Sequence, residues 1–169
     1  MTTGEGTGDD RARIAGTEFG MPPSYVADLE ENLTDDVFVH AEKAPEQVGF
    51  SRRVNGHWAP VTYRMLAEQV TRLAAGMIDS GVQAGDRVAL LSGTRFEWML
   101  CDFAIWTAGC VTVPIYETSS AEQVDWILTD SGAVAAFVET PDHAKTVTQA
   151  QAGLPQLRDV WVIDSGGID

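Results

Sequence analysis

Two predicted strands are each followed, before the next predicted helix, by a short run of hydroxyl-bearing residues, and one of these runs ends in an arginine. The run Ser92–Arg95 follows the apolar segment Arg87–Leu91, and Thr118–Ser120 follows Val111–Ile115. Open α/β sheets bind ligands at such strand ends, where hydroxyls and a helix N-terminus can hold an anion. Capping of the helix by the same hydroxyls is the simpler interpretation, and we favour it at both points.

Other chemistry-bearing side chains form no recognisable constellation. Glu117 would need a partner group and a buried setting to act as a catalytic carboxylate, and the sequence indicates neither. The two lysines, Lys43 and Lys145, follow no glycine-rich loop, so a P-loop is not predicted. The histidines lack metal-ligand spacing and are expected at the surface or in packing; they are His40, His57 and His143.

The cysteines and tryptophans are predicted to be structural. Cys101 and Cys110 lie in apolar surroundings and fit neither a metal site nor a disulfide framework, so each is expected to be a small buried side chain. The tryptophans are expected in the core or in subunit contacts; they are Trp58, Trp98, Trp106, Trp126 and Trp161. No catalytic, cofactor-binding or metal-binding residue is therefore assigned.

The composition is that of an ordinary globular protein with strong negative charge. Hydrophobic residues make up 44%, charged residues 21%, and the formal net charge is -14. An acidic surface repels nucleic-acid phosphates and anionic lipid headgroups, so nucleic acid is not an expected partner. No apolar run approaches the roughly 20 residues that span a bilayer, and no signal peptide is evident, so we expect a cytoplasmic protein.

The chain divides into a polar N-terminal part and a periodic remainder. Residues 1–30 lack sustained periodicity and are expected to be a disordered or extended segment, whereas residues 31–169 are expected to fold. Within the second part, Thr34 is predicted to cap a short helix that Pro45 stops.

An antiparallel hairpin followed by alternating helices and strands is predicted next. Asn55-Gly56 is a pair preferred in two-residue hairpin turns, and it separates Gln47–Val54 from His57–Val61. The later elements are a helix capped by Thr62 and ended by Gly81, strand 87–91, helix 95–108, strand 111–115, a helix opened by Ser120 and Gln123 and ended by Gly132, strand 133–138, helix 141–152 and strand 160–163. Apolar strands alternating with helices predict a Rossmann-like α/β fold, in which helices cover both faces of a parallel sheet.

Residues 58–139 carry a series of short motifs in a fixed order. They are Trp58-Ala59-Pro60-Val61-Thr62-Tyr63, Leu73-Ala74-Ala75-Gly76-Met77, Gly81-Val82, Gly85-Asp86-Arg87-Val88-Ala89-Leu90, Thr94-Arg95-Phe96-Glu97-Trp98, Val113-Pro114-Ile115-Tyr116-Glu117-Thr118-Ser119-Ser120, Gln123, Trp126-Ile127-Leu128 and Asp130-Ser131-Gly132-Ala133. The series resembles the opening of AMP-forming acyl-CoA synthetases in the adenylate-forming superfamily. The run from Pro114 to Ser120 is similar to the long-chain fatty acid branch. The resemblance covers most of the chain after residue 30 and implies the first subdomain of the large AMP-binding domain, with residues 31–169 as a truncated N-terminal subdomain.

The same resemblance implies a two-step reaction for the whole enzyme. A fatty acid carboxylate attacks ATP to give an acyl-adenylate and pyrophosphate, and coenzyme A then displaces AMP, with magnesium neutralising the polyphosphate. The family's phosphate loop ending in Pro-Lys-Gly, its Tyr-Gly-x-Thr-Glu stretch, its ribose-binding aspartate, its hinge and its catalytic lysine have no counterpart in this sequence. No catalytic residue carries over, so ATP, magnesium and CoA are implied for the whole enzyme only, and this chain alone is expected to be inactive.

Two other interpretations remain open. One is a non-catalytic interaction or regulatory module that pairs with a complete synthetase through a sheet edge and helices left uncovered. The other is a small nucleotide-binding protein that uses Ser92–Arg95, against which the missing phosphate loop argues. Downstream subdomains or further copies of the chain are the expected protein partners. A peripheral membrane location of the whole enzyme, the acyl chain length and the oligomeric state are left open.

Overall fold

Helices cover both faces of a parallel sheet in the computed structural model, which describes residues 32–164. The elements are α1 Asp35–Lys43, β1 Val48–Val54, β2 His57–Thr62, α2 Tyr63–Asp79, β3 Arg87–Leu91, α3 Phe96–Thr107, β4 Val111–Ile115, α4 Ala121–Ser131, β5 Ala135–Val138, α5 Pro141–Gln151 and β6 Asp159–Val162. The Rossmann-like prediction is thereby confirmed, including the preceding hairpin. The expectation for residues 1–30 lies outside the described residues.

The four parallel strands have the order β4-β3-β5-β6. Along the chain, β3 is followed first by β4, its neighbour on one side, and then by β5, its neighbour on the other side. In open α/β sheets the ligand crevice lies at the carboxyl ends of the strands where the connections diverge in this way. The loops that follow Leu91 and Val138 therefore flank the predicted crevice.

The core is divided between the two faces of the sheet. In β3, Val88 and Leu90 face α2 and α3, whereas Ala89 and Leu91 face α4 and α5. Successive side chains of a strand point to opposite faces, so a strand covered on both sides must be apolar at every position. This explains why β3 and β5 appear in the sequence as continuous apolar runs.

Helix α3 is buried on two sides, as its nearly uniform apolar character predicts. Cys101, Ala104 and Ile105 pack toward the sheet and α2. Leu100 belongs instead to a cluster with residues of α1, β2 and α2, among them Val37. The helix thus joins the parallel sheet to the N-terminal elements.

Strands β1 and β2 form a separate antiparallel hairpin. Asn55 and Gly56 connect them with φ angles of 49° and 81°, the positive values that a type I′ turn requires. Val61 is the point at which the hairpin enters the core, with 1% of its surface exposed. Most of the remaining hairpin is exposed to solvent.

Short-range capping signals in the sequence correctly predicted most of the helix ends to which they applied. The Thr62 Oγ1 accepts the Met65 N–H at 3.3 Å, and Ser120 and Gln123 form the reciprocal bonds of a capping box. Gly132 ends α4 in the left-handed conformation, with φ of 62°. All three predictions are confirmed.

One predicted cap and the limits of two strands were wrong. The Thr34 side chain makes no capping bond to α1, because Thr34 itself adopts helical φ and ψ angles and donates its N–H to Asn32 Oδ1 at 3.0 Å. Strand β5 begins at Ala135, two residues later than predicted, and β6 begins and ends one residue earlier than predicted. The pairing between β5 and β6 sets where both strands begin, since Ala135 pairs with Asp159.

Candidate functional site

The predicted crevice contains a carboxylate of the protein itself. Glu139 follows β5, and its Oε2 accepts the backbone N–H of Gly93 at 2.8 Å and the hydroxyl of Ser92 at 3.3 Å. Arg95 Nη1 donates to the other oxygen, Oε1, at 3.2 Å. The donors of Ser92–Arg95 therefore do hold an anion, but the anion is the Glu139 side chain.

These donors favour the charged form of Glu139. The N–H of Gly93, followed by the Arg95 guanidinium and the Ser92 hydroxyl, lowers the pKa of the Glu139 carboxyl, although partial burial opposes the shift. Glu139 is therefore ionised at neutral pH and occupies the donors of Ser92, Gly93 and Arg95.

Arg95 links the loop after β3 to the ends of two other strands. Besides Glu139, its Nη1 contacts Asp164 Oδ1 at 2.8 Å, and its Nε contacts Glu97 Oε2 at 2.7 Å. Burial acts to lower the pKa of Arg95, but the hydrogen bonds and charges of Glu97 and Asp164 outweigh it and raise the pKa. One guanidinium thus holds together the carboxyl ends of β3, β5 and β6.

The capping prediction for Ser92 and Thr94 was wrong. Arg95 is the N-cap residue of α3, its backbone is extended, and no side chain caps the helix there. The Ser92 hydroxyl instead shares its single proton between the Gly93 carbonyl, at 3.0 Å, and Glu139 Oε2, at 3.3 Å. Because α3 begins at Phe96, Ser92 lies three residues before the N-cap position and is too far from the helix to cap it.

Glu117 lies beside this loop but has none of the surroundings of a catalytic carboxylate. A Cβ atom on Gly93 would lie 3.4 Å from Glu139 Oε2 and 3.7 Å from Glu117 Cδ, so both carboxylates lie close to the backbone of this loop. Glu117 itself is exposed. Within residues 32–164, no group of three or more His, Cys, Asp or Glu side chains could hold a metal ion.

The histidines and lysines are not brought together. His40 in α1 stacks on Tyr63 with ring centroids 4.8 Å apart, and the other histidines lie in β2 and α5. Lys145 Nζ contacts Asp142 Oδ1, its neighbour in α5, at 2.7 Å. None of these histidine and lysine side chains therefore brings a second cationic group to the crevice beside Arg95.

Both cysteines are buried and free, as predicted. Burial, with the nearby charges of Glu97 and Asp102, raises the pKa of the Cys101 thiol to about 12. Burial also raises the pKa of Cys110, whose Sγ lies 3.3 Å from the Gln83 carbonyl oxygen. A thiol that stays protonated at neutral pH is a poor nucleophile, so neither cysteine is a catalytic candidate.

The tryptophans were predicted in the core or in subunit contacts; three lie against the core, and for the two exposed ones subunit contact stays a prediction. Trp98, Trp106 and Trp161 pack against the cluster between the sheet and α2 and α3. Trp58 is 70% exposed and Trp126 is 65% exposed. Trp126 is exposed because other residues of α4, such as Leu128, occupy its buried side; Trp58 lies on the solvent-facing part of the hairpin.

Two buried or half-buried acids were not identified from the sequence. Glu139 was detectable in principle, because it directly follows a buried strand next to the predicted crevice. Asp102, only 8% exposed, lies in the otherwise apolar α3, and the Thr112 hydroxyl of β4 donates to its Oδ1 at 2.6 Å. Burial raises the pKa of Asp102, although the bond from Thr112 opposes this.

No helix within residues 32–164 is long and apolar enough to cross a membrane.

The sequence and fold match one group of proteins. A profile of the family described as AMP-binding enzyme matches residues 37–169. The long-chain-fatty-acid–CoA ligase FadD15 of Mycobacterium bovis is 45% identical over 150 residues, which are 89% of this chain and 25% of that protein. FadD15 of Mycobacterium tuberculosis gives the same identity and coverage. The chain thus spans about a quarter of the length of these relatives.

Solved structures agree with the sequence match. A fatty acyl-adenylate ligase from L. pneumophila, solved with acyl adenylate and pyrophosphate, superposes with a TM-score of 0.62 at 25% identity and covers 78% of this chain and 23% of that protein. The A-PCP didomain of a carboxylic acid reductase from Segniliparus rugosus shares the fold, with a TM-score of 0.73 at 17% identity over 84% of this chain and 22% of that one. Because the family profile covers most of the sequence and the α/β topology agrees, this chain belongs to the AMP-binding enzyme family.

Proposed function

We propose that the chain is the N-terminal part of an AMP-forming long-chain fatty acid–CoA ligase. The whole enzyme would convert a fatty acid, ATP and CoA into acyl-CoA, AMP and pyrophosphate. The observation that carries the proposal is the 45% identity to FadD15 over 89% of the chain. Residues 31–169 would be the first subdomain of the AMP-binding domain.

The contribution of this part would be structural. The crevice at the strand ends is closed by Glu139, which already uses the donors of Gly93 and Arg95. A phosphate group would have to displace an ionised carboxylate and would then lie near Glu97 and Asp164. Like charges at such distances repel, so tight binding of ATP by this chain alone is not expected. ATP, magnesium and CoA would be held by groups outside this chain.

The test is ATP–pyrophosphate exchange with a long-chain fatty acid, first with the purified chain and then with the downstream portion of a synthetase added. We expect no exchange above a protein-free blank in the first assay and exchange in the second. Exchange by the chain alone would contradict the assignment of inactivity. Failure of every downstream portion to restore exchange, including that of the FadD15 relatives, would count against the ligase proposal.

A second candidate is a non-catalytic module that binds a complete synthetase. Its support is the exposure of large aromatic groups near β4, with Tyr116 81% and Trp126 65% exposed. Exposed aromatic side chains are frequent in protein interfaces. Sedimentation of the chain with a complete synthetase, together with the pyrophosphate-exchange assay, separates the two candidates. A non-catalytic module should bind the synthetase without increasing its exchange activity. The cytoplasmic location expected from the sequence stays a prediction.

A further inference from the structure

Strand β6 lies at one end of the parallel sheet and has an unpaired edge. Within residues 32–164 only β5 pairs with it, and all four of its residues are half-buried, whereas every residue of β5 is buried. An unpaired edge offers backbone N–H and C=O groups with which another strand can pair. The edge of β6 is therefore a candidate interaction surface.

The backbone groups of two β6 residues point away from β5. The N–H groups of Arg158 and Asp164 donate to carbonyls that flank β5. Because successive N–H groups alternate in direction along a strand, those of Asp159 and Trp161 point to the unpaired edge, together with their carbonyls. No residue of β6 is a proline, so both outward donors are present.

The opposite edge of the sheet, formed by β4, is less suited to pairing. The Val111 N–H donates to the Asp86 carbonyl on the β3 side, so the outward positions of β4 are 112 and 114. Position 114 is a proline, which has no N–H to donate and which opposes the addition of a strand. Of the two edges that residues 32–164 leave unpaired, that of β6 therefore has the more complete set of donors.

An apolar cavity of about 300 Å³ lies between α2 and the end of the sheet formed by β5 and β6. Trp161 and Ile163 form its wall on β6, and Leu73 and Met77 are among the α2 residues that face them. Every second side chain of a strand added beside β6 would point to this face of the sheet. Strand addition derives affinity from main-chain hydrogen bonds and specificity from pockets of this kind.

Gly76 leaves space on the α2 side of this cavity. A Cβ atom at this position would meet no atom within 4 Å. The backbone does not require a glycine here, because Gly76 is not among the glycines with positive φ. A glycine inside a helix is unfavourable relative to alanine, and the space that it leaves here is available to a side chain from an added strand.

We propose that an extended apolar segment from the downstream portion of the synthetase pairs with the edge of β6 and places a side chain in the cavity beside Trp161. The choice of this partner rests on the proposed function, since the chain spans 25% of FadD15 and most of such an enzyme lies outside it. A second copy of this chain fits less well, because each copy has a formal net charge of -14 and like charges repel.

Hydrogen exchange of single backbone amides, followed by mass spectrometry with electron-transfer fragmentation, tests the pairing. The 169-residue chain is compared with a joined protein, in which the chain is followed by the downstream portion of FadD15 from Mycobacterium tuberculosis. We expect the Trp161 amide to exchange at nearly the rate of an unstructured peptide in the chain alone and at least about 100-fold more slowly in the joined protein. The Thr112 amide on the β4 edge is the internal control and should change much less.

Two variants of α2 provide the matched comparison. Gly76→Leu fills the cavity, and we expect it to reduce the protection of the Trp161 amide in the joined protein at least about tenfold. Ala75→Leu adds similar bulk at an exposed position outside the cavity and should leave the protection unchanged. Neither variant should prevent folding of the chain alone, because leucine is a good helix former and both positions are exposed.

Several results would overturn the inference. Protection of the Trp161 amide in a dilute solution of the chain alone would show that the edge is already covered. Protection that increases with the concentration of the chain alone would make a second copy the partner. Stronger protection of Thr112 than of Trp161 in the joined protein would move the pairing to β4.

Pyrophosphate exchange by the same joined protein separates this inference from the proposed function. Exchange activity without protection of the Trp161 amide would contradict the pairing at β6 only. Protection of this amide without exchange activity would contradict the ligase proposal only. A joined protein that shows neither would count against both.

Discussion

Glu139 Oε2 accepts the backbone N–H of Gly93 across the crevice between β5 and β3, with the two atoms 2.8 Å apart. The two residues follow neighbouring parallel strands at the carboxyl edge of the sheet. A Cβ atom at position 93 would lie 3.4 Å from Glu139 Oε2, an ordinary van der Waals distance, so the carboxylate lies directly against the backbone of this loop. The position at which open α/β sheets usually bind ligands is thus used for an internal ion-pair cluster.

Replacing Glu139 with glutamine should reduce stability in a pH-dependent manner. The pKa of this carboxyl is lowered below its ordinary value of 4.5, chiefly by the Gly93 N–H, so its stabilisation is present above pH 4.5 and is lost as the pH falls through the folded-state pKa. We expect Glu139→Gln to lower the free energy of unfolding by about 2 kcal/mol at pH 7, as for a hydrogen bond to a charged group. Urea unfolding at decreasing pH should show the difference shrinking, with Glu68→Gln on the exposed side of α2 as the control. A difference that is constant with pH would contradict the assigned role.

Asp102→Asn should show the opposite pH dependence. Burial raises the pKa of Asp102 above its ordinary value of 3.8, so the folded state favours the protonated form. The wild-type chain then loses stability as the pH rises from 3.8 through the folded-state pKa, while the asparagine variant does not titrate. We therefore expect the variant to gain stability relative to wild type between pH 3 and pH 7. Thermal unfolding over that range measures it, and Asp125→Asn on the exposed surface of α4 should show no comparable trend.

Truncation of Leu100 tests whether α3 joins the two parts of the fold. Leu100 is 1% exposed and packs with residues of α1, β2 and α2. We expect Leu100→Ala to cost about 3 kcal/mol of unfolding free energy, because it leaves a cavity in a closed cluster. Ile78→Ala in α2 is the matched control, since Ile78 is 54% exposed. Equal costs in urea unfolding would mean that the Leu100 cluster contributes little.

The capping box at the start of α4 gives a fourth prediction. Ser120→Ala removes the acceptor of the Gln123 N–H and should destabilise the chain by about 1 kcal/mol. Thr118→Ala, two residues earlier and exposed, is expected to change the unfolding free energy by less than about 0.5 kcal/mol. Chemical denaturation of both variants under the same conditions decides the matter. A loss at Thr118 as large as that at Ser120 would show that this turn, rather than the cap, stabilises the helix.

Local signals and motif order in the sequence sufficed for the elements and the family. Asn55-Gly56 predicted the hairpin, and Ser120 with Gln123 predicted the start of α4, because these features act over two to four residues. Continuous apolar strands between helices indicated a sheet covered on both faces. The series of motifs over residues 58–139 indicated the family that the profile match then showed.

Which side chains occupy the crevice is determined by the tertiary structure alone. Glu139 is 46 residues from Gly93, and Asp164 is 69 residues from Arg95, so no periodicity or spacing rule relates them. They meet because the strand order β4-β3-β5-β6 brings the ends of β3, β5 and β6 side by side. Because α3 begins only at Phe96, Ser92 lies three residues before the N-cap Arg95, and its hydroxyl bonds to the Gly93 carbonyl and to Glu139 in place of the predicted cap. Sequence patterns specify which groups a segment offers, whereas the packing of distant strands decides which of those groups meet.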